Sequence, residues 1–443
     1  ITEEGITERP ISELPKHVWR ENIIDFEPKY LGKPMLKAKL VNGKWGVKIE
    51  EEALKCDMAN FYMNTSDFNW KKRFYVGNDK DGRNTWLLRD NPEEISDEDT
   101  QITTGNLICK MLAAGYVLHD YRDYSNMKAI VCMEGVESEA GKTQGGTGKS
   151  LWSRAFKYLG PQEVIDGKKK NIEDDNHLYE NVDERTKVIV FDDVRVNFNF
   201  EFLFSQITSG LSVNPKGEKR FTLLPPKFII NTNHALNGEG NSFERRQYTI
   251  AFSDYYNGMR TVSDEFGHQL FYEWEFEQWN LFYNLMGTCL QLYFQSLREG
   301  WAGKNKGIVD PPMETLEKRR LRQQIGEDIM QWADVTFAVD TNNQPEMGSK
   351  LNQRVGRKEL FDDFLDLNQH ARKYVTSTSF KKRLLFYCKY KHYHFNPNRP
   401  NEDGMDFFSW KEHNPDYIFE GDADKSGGIE YFTIANEKYT DTY

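Results

Sequence analysis

Four short apolar runs interrupt an otherwise polar chain: Ala129-Ile130-Val131-Cys132-Met133, Val188-Ile189-Val190-Phe191, Lys227-Phe228-Ile229-Ile230 and Gln247-Tyr248-Thr249-Ile250-Ala251-Phe252. Each is rich in β-branched or aromatic residues and is closed by polar ones. Such runs read as strands, and the unbroken ones as strands covered on both faces of a parallel sheet. A second rhythm follows the first run. From Leu151 to Leu159 the apolar positions recur at helical spacing, and Phe271-Tyr272-Glu273-Trp274, Trp279-Asn280 and Phe282-Tyr283 mark a helix rich in Trp and Phe.

Upstream, Thr104 is expected to cap a helix carrying Leu107, Ile108, Met111, Leu112 and Val117. Asp81-Gly82 and Asn91-Pro92 are turn signals, and Pro92 to Asp99 reads as an acidic loop. Downstream, Trp301 to Pro312 is a connector, and Glu314 to Trp332 a charged helix exposing Lys318, Arg319 and Arg320. Arg357 to Phe364 reads as an amphipathic helix and Ser377 to Phe386 as a second, capped at a Ser/Thr. Lys389 to Phe395 reads as an alternating strand and Gly428 to Ile434 as another. The expected layout is an α-rich region over 1–125, an α/β domain over 126–300 and a C-terminal domain over 301–443.

Composition changes this picture at three points. No apolar run approaches the length of a membrane span, so neither a transmembrane helix nor a signal peptide is expected. Five scattered cysteines without a C-x-x-C pair argue for a reducing compartment, hence a cytoplasmic protein. Cys388, His392 and His394 have no fourth partner nearby in sequence, so zinc is not expected there. The net charge of -11 is unevenly spread, with twelve Lys/Arg against four Asp/Glu between Lys350 and Pro400. That local excess, rather than the total, is what a nucleic-acid partner would meet. The chain starts at Ile1, which suggests a piece of something longer.

The chemistry gathers between the strands. Gly145, Gly146, Thr147, Gly148, Lys149, Ser150 and Leu151 stand between the first strand and the helix after it. Strand, glycine-rich loop and helix form a phosphate cradle, because backbone N–H groups and the helix N-terminus turn towards the anion. Lys149 would reach the β- and γ-phosphates of ATP, and the Ser150 hydroxyl would hold Mg²⁺. Thr143 stands where the full motif has glycine, so the loop entry is unusual. The second strand ends in Asp192-Asp193: the first acid would orient Mg²⁺ and the second accept a proton from the attacking water. The third strand leads into Asn231-Thr232-Asn233, and Asn233 is the expected holder of that water. Arg245 and Arg246 precede the fourth strand, and one of them would be offered to the γ-phosphate of a neighbouring subunit. Val213 to Arg220 reads as a hairpin with a basic tip.

Phosphate loop, Asp-Asp strand, basic hairpin, Asn-tipped strand and paired arginines, in that order, resemble the superfamily 3 helicases, ring-forming members of the AAA+ ATPases. Phe243-Glu244-Arg245-Arg246 looks like the poxvirus-type and phage primase-helicase branch, and Leu118-His119-Asp120-Tyr121 is similar to phage and mobile-element members. The resemblance covers about residues 105–290. It implies an α/β P-loop NTPase core of AAA+ type, a collar-like α-rich N-terminal region and a C-terminal winged-helix-like domain. It further implies ATP and Mg²⁺ as ligands, a hexameric ring, single-stranded DNA as substrate, and a primase domain or subunit as partner. The hairpin Lys216, with Lys219 and Arg220, would then grip DNA in the channel, and Lys381, Lys382 and Arg383 would touch DNA phosphates. The rival expectation is an ATP-switched DNA-binding initiator or assembly platform that does not unwind.

Overall fold

The computed structural model describes the chain apart from residues 3–4, 8, 14–19, 21–22, 68–70, 79–83, 91–95, 121–122, 124–125, 135–145, 235, 237–240, 304–305, 313–320, 322–323, 397–423, 427–428 and 437–443. The expectations for Asp81-Gly82, Asn91-Pro92, Thr143, Gly145 and Lys318 to Arg320 therefore lie outside the described residues. The chain divides into two compact units, Ile1–Thr315 and Leu316–Tyr443.

In the first unit two hairpins, β1 (Leu36–Val41) with β2 (Lys44–Ile49) and β3 (Lys71–Asn78) with β4 (Asn84–Asp90), accompany three helices. These are α1 (Glu51–Lys55), α2 (Asp57–Thr65) and α3 (Asp97–Leu118). The hairpins were not legible as strands. Helix α3 starts earlier than expected. Ser96, not Thr104, is its cap, accepting a hydrogen bond of 3.0 Å from the Asp99 backbone N–H. Acids in a first turn suit the positive end of the helix dipole, so the acidic stretch 97–99 is helix rather than loop.

The five-stranded sheet comprises β5 (Ala129–Glu134), β6 (Gln162–Asp166), β7 (Val188–Val194), β10 (Lys227–Thr232) and β11 (Gln247–Phe252). All pairings are parallel, in the spatial order β11-β5-β10-β7-β6. Helix α4 (Lys149–Arg154) follows β5, and α5 (Phe204–Thr208) precedes the antiparallel hairpin β8 (Leu211–Val213) and β9 (Phe221–Leu223). The two-residue period of a strand sorts the apolar runs onto two faces. Ile130, Cys132, Val190, Ile229 and Ile250 face a core shared with Trp152 and Phe156 and with helices α2 and α3. Ala129, Val131, Ile189, Phe191, Phe228 and Ile230 face a second core with Phe200, Leu203, Leu211 and Val213. Residues on both sides of position 125 thus contribute to one core.

Short α6 (Asn241–Glu244), α7 (Val262–Phe266) and the long α8 (Phe276–Glu299) complete the unit. Helix α8 carries a polar stripe at four-residue spacing. Asn280, Asn284 and Thr288 accept from the backbone N–H groups of Lys29, Leu31 and Met35 at 2.6, 3.1 and 3.0 Å, fastening an irregular N-terminal segment. At the end of α2, the buried Lys110 donates to the Thr65 and Ser66 hydroxyls at 2.8 and 2.9 Å and lies 4.4 Å from the Phe252 ring centroid. Burial holds its ammonium well below the usual lysine range.

The second unit holds α9 (Glu327–Thr336), β12 (Arg354–Gly356), α10 (Arg357–Leu367), α11 (Ser377–Lys391), β13 (His394–Phe395), β14 (Asp424–Ser426) and β15 (Ile429–Ala435). Strand β15 pairs antiparallel with β12, β13 and β14. Trp332, Phe364, Phe380, Leu384 and Phe432 fill its core. Thr376 caps α11 in a box with Ser379. The strand expected over 389–395 is a correction: Tyr387 and Cys388 keep the helix buried to its last turn, His392 ends it at φ 57°, and only His394–Phe395 are extended.

Helices α3 and α8 touch at Gly115. A Cβ there would sit 2.4 Å from the Cys289 carbonyl oxygen and 2.7 Å from Tyr293 Cβ, and backbone cannot swing aside. Gly115→Ala is expected to destabilise by about 1–3 kcal/mol through overpacking. A thermal midpoint several degrees lower checks this; an unchanged one would mean that the helices separate freely.

Candidate functional site at the strand ends

The site lies at the C-terminal ends of β5, β7 and β10. Glu134 closes β5, and Gly146, Thr147 and Gly148 lead into Lys149, the first residue of α4. Gly146 and Gly148 both have φ 96°, a conformation that side chains disfavour. Gly148 is also confined in space, because a Cβ would lie 2.6 Å from Phe61 Cε2 of α2. The N-terminal helix therefore forms a wall of the loop. Lys149 is buried, and its ammonium donates to Glu134 Oε1 at 2.7 Å and to Thr147 Oγ1 at 3.1 Å. Leu151 is half-buried and packs against the core below the loop.

Across the sheet, the Ser150 hydroxyl donates to Asp192 Oδ1 at 2.8 Å. The same oxygen accepts from Asn231 Nδ2 at 2.7 Å, and Asn231 Nδ2 also reaches Ser153 Oγ at 2.9 Å. The backbone explains this meeting. Along β7 and β10, Ile230 pairs with Phe191 but Thr232 pairs with Val194, so Asp192 and Asp193 together oppose Asn231. This is a β-bulge, a device that re-aims side chains near functional sites. Asp193 takes up the extra length at φ 53° and its carboxylate forms an ion pair with Lys168. That contact holds the Lys168 ammonium above its ordinary range. Gly167 makes room: its N–H donates to the Asp192 carbonyl at 2.7 Å, and a Cβ would lie 2.6 Å from Val194 Cγ1.

Asn233, the expected water holder, lies just past the end of β10 and is half-buried. The two arginines differ. Arg246 stacks 4.8 Å from the Phe204 ring centroid and donates to the Ser242 carbonyl at 2.9 Å, and burial lowers its guanidinium pKa. Arg245 is exposed. The β8–β9 hairpin presents Lys216, Lys219 and Arg220 at its exposed turn; Lys216 pairs with Glu180 at 3.1 Å, and Arg220 donates to the Ser212 hydroxyl. On α11, Lys382 is exposed and Lys381 half-buried, while Arg383 donates to the Ile325 carbonyl at 3.4 Å. The structure thus joins Lys149, Ser150 and Asp192 in one place, with Glu134 and Asn231 beside them.

Of this cluster, Glu134 was not singled out in the sequence, and Asn231 was passed over in favour of Asn233. Glu134 carried a usable signal, an acid ending a buried strand, the same signal that marks Asp192. Asn231 carried the same strand-end signal as Asn233; the register that faces it towards Asp192 is a property of two strands distant in sequence.

The donor set suits a hard cation. Ser150 and Asp192 present a hydroxyl and a carboxylate, and the buried Asn231 Oδ1 has no hydrogen-bond partner. Mg²⁺ binds through few protein oxygens and keeps several waters, which such an orphaned oxygen can accept from. Among the described residues no group of three or more His, Cys, Asp or Glu could form an all-protein cage.

Asn231→Asp would set a second carboxylate against Asp192. Like charges disfavour joint ionisation, so the variant is expected to be destabilised by about 2 kcal/mol or more near neutral pH. Lowering the pH protonates one acid and removes the repulsion, so the gap in thermal midpoint from wild type should narrow towards pH 5. A gap independent of pH would contradict the contact.

No protein-family model and no curated protein matches this chain. Among solved structures it is similar to an apo A form of the NrS-1 C-terminal region, at 15% identity and TM-score 0.34 over 92% of this chain and 83% of that one. A second apo structure of that region, covering its residues 305–718, gives 14% identity and TM-score 0.30 over 90% and 96%. The JCV helicase with a bound phenoxyphenyl acetamide gives 12% identity and TM-score 0.24 over 45% and 58%.

Proposed function

We propose that this chain is an ATP-hydrolysing DNA motor of the superfamily 3 helicase type. The observation that carries the reading is the convergence of Lys149, Ser150 and Asp192 at the C-terminal ends of β5 and β7, beside Asn231 of β10. The strand order supports it. From β5 the chain crosses over β10 and β7 to the far edge at β6, then returns through β7 and β10 and passes over β5 to the other edge at β11. Successive crossovers of opposite direction place helices on opposite faces and open a crevice at the strand ends, where open α/β sheets bind ligands.

In this reading the backbone N–H groups at Gly146 to Lys149 and the N-terminus of α4 receive the phosphates of ATP. Lys149 offers its ammonium to the β- and γ-oxygens. Ser150 and Asp192 would hold Mg²⁺, whose charge when bound offsets that of the phosphate oxygens. Asn231 fixes the Asp192 carboxylate, and Asn233 orients the attacking water. Asp193 accepts the proton from that water once its ion pair with Lys168 opens. Arg245 is the arginine offered to a neighbouring subunit, since it is exposed whereas Arg246 is engaged within its own chain. A hexameric ring would present the β8–β9 hairpins to a central strand of DNA, with Lys216, Lys219 and Arg220 on its backbone. The second unit, with its helix, strand, two helices and strands, is read as a winged-helix-like module in which Lys381 and Lys382 meet phosphate. Arg383, which holds the Ile325 carbonyl, supports that helix from behind.

The test is ATP turnover with and without single-stranded DNA. Wild type should be stimulated by DNA, and Lys149→Ala should abolish turnover. Arg245→Ala should reduce turnover by about 10³-fold or more with little change in thermal midpoint, whereas Arg246→Ala should lower the midpoint. ATP binding without turnover would favour the ATP-switched platform instead.

A further inference from the structure

Glu134 and Lys149 stand at the two ends of the glycine-rich loop, and their side chains are only 4% and 9% exposed. Their charged ends meet at 2.7 Å within the proposed phosphate site. On the neighbouring strand Glu134 is in register with Phe252, which is fully buried, so this side offers the carboxylate an apolar neighbour rather than water. A buried pair of this kind is held by mutual need, because removing one partner strands the other charge in a poorly solvating interior.

We infer that Glu134 is a built-in counter-ion that stands in for phosphate at Lys149, so that nucleotide entry is an exchange of carboxylate for phosphate. The inference rests on the nucleotide-site reading above and adds an affinity-setting residue to it. An incoming phosphate brings negative charge to an ammonium that already carries a carboxylate, and the two anions repel across a few ångströms of weakly screened interior. The site therefore discriminates by charge. A ligand with a single phosphate meets a competitor of similar strength, whereas a polyphosphate engaging the loop N–H groups and Ser150 as well can draw the ammonium away. Nucleotide binding is weaker than the loop alone would provide.

Two readouts test this: affinity for a fluorescent ADP analogue, and thermal midpoint with and without ADP. Glu134→Gln leaves Lys149 buried without its counter-ion, so the unliganded midpoint should fall. ADP should then restore more of it than it adds to wild type, and the analogue should bind about tenfold tighter. Glu134→Asp, which keeps the charge but draws it back by one methylene, should lie between wild type and the Gln variant. It decides the matter by the same criterion if Glu134→Gln does not fold. A merely structural carboxylate would lower the midpoint equally with and without ADP and leave affinity unchanged or weaker, and that result overturns the inference. If wild type itself shows no ADP or ATP binding, the nucleotide-site reading fails first; binding by wild type without tightening in the variants sinks the counter-ion alone.

Discussion

Two residues of β7 opposing one of β10 is the constraint that sets how the two acids of the site are placed. Without the register shift at Asp192-Asp193, the parallel pairing would set Asp192 directly beside Asn231 and leave the next acid paired to Thr232. With it, Asp193 swings out at positive φ onto Lys168, while Asp192 stays in reach of both Ser150 and Asn231. Around the bulge Asp192 meets the hydroxyl-amide cluster and Asp193 meets a lysine. Gly167 is the condition for this geometry, since its missing side chain lets the bulged backbone approach β6.

The sheet is also held in place from its N-terminal side. Helix α2 presses Phe61 against Gly148, Phe61 stacks on Tyr256 at 5.6 Å, and the Ser253 N–H donates to the Thr65 carbonyl at 2.8 Å. Lys110 joins the same corner from α3. Loop, helix end and strand end are therefore mechanically connected, and a ligand that moves Gly148 must move α2. This is the physical sense in which residues before 125 belong to the candidate site.

The sheet was legible because a parallel strand covered on both faces must be a continuous apolar run, as β5, β7 and β10 show, while the edge strand β11 shows the alternation of a half-covered one. The other edge, β6, was not legible: Val164 is 56% exposed and Gln162, Glu163 and Asp166 are polar, leaving no apolar pattern to read. The lysine, serine and first aspartate were legible from their distances to strand ends. What sequence could not supply was register and rotamer. Asn231 and Asn233 look equivalent on paper, and Arg245 and Arg246 look interchangeable. Only packing against Ser153, Asp192 and Phe204 separates them. Likewise, the alternation of Tyr and His after Cys388 mimicked a strand although the preceding cap and buried face had already committed it to helix.

The central claim is that Ser150 and Asp192 form the cation-holding half of a nucleotide site. The direct measurement is ATP affinity by calorimetry in Mg²⁺ and in EDTA, for wild type and Asp192→Asn. Wild type should bind ATP at least about tenfold tighter with Mg²⁺, a difference of roughly 1.4 kcal/mol, and the variant should lose most of that gain. Equal affinity in EDTA, or an undiminished Mg²⁺ effect in Asp192→Asn, would contradict the account.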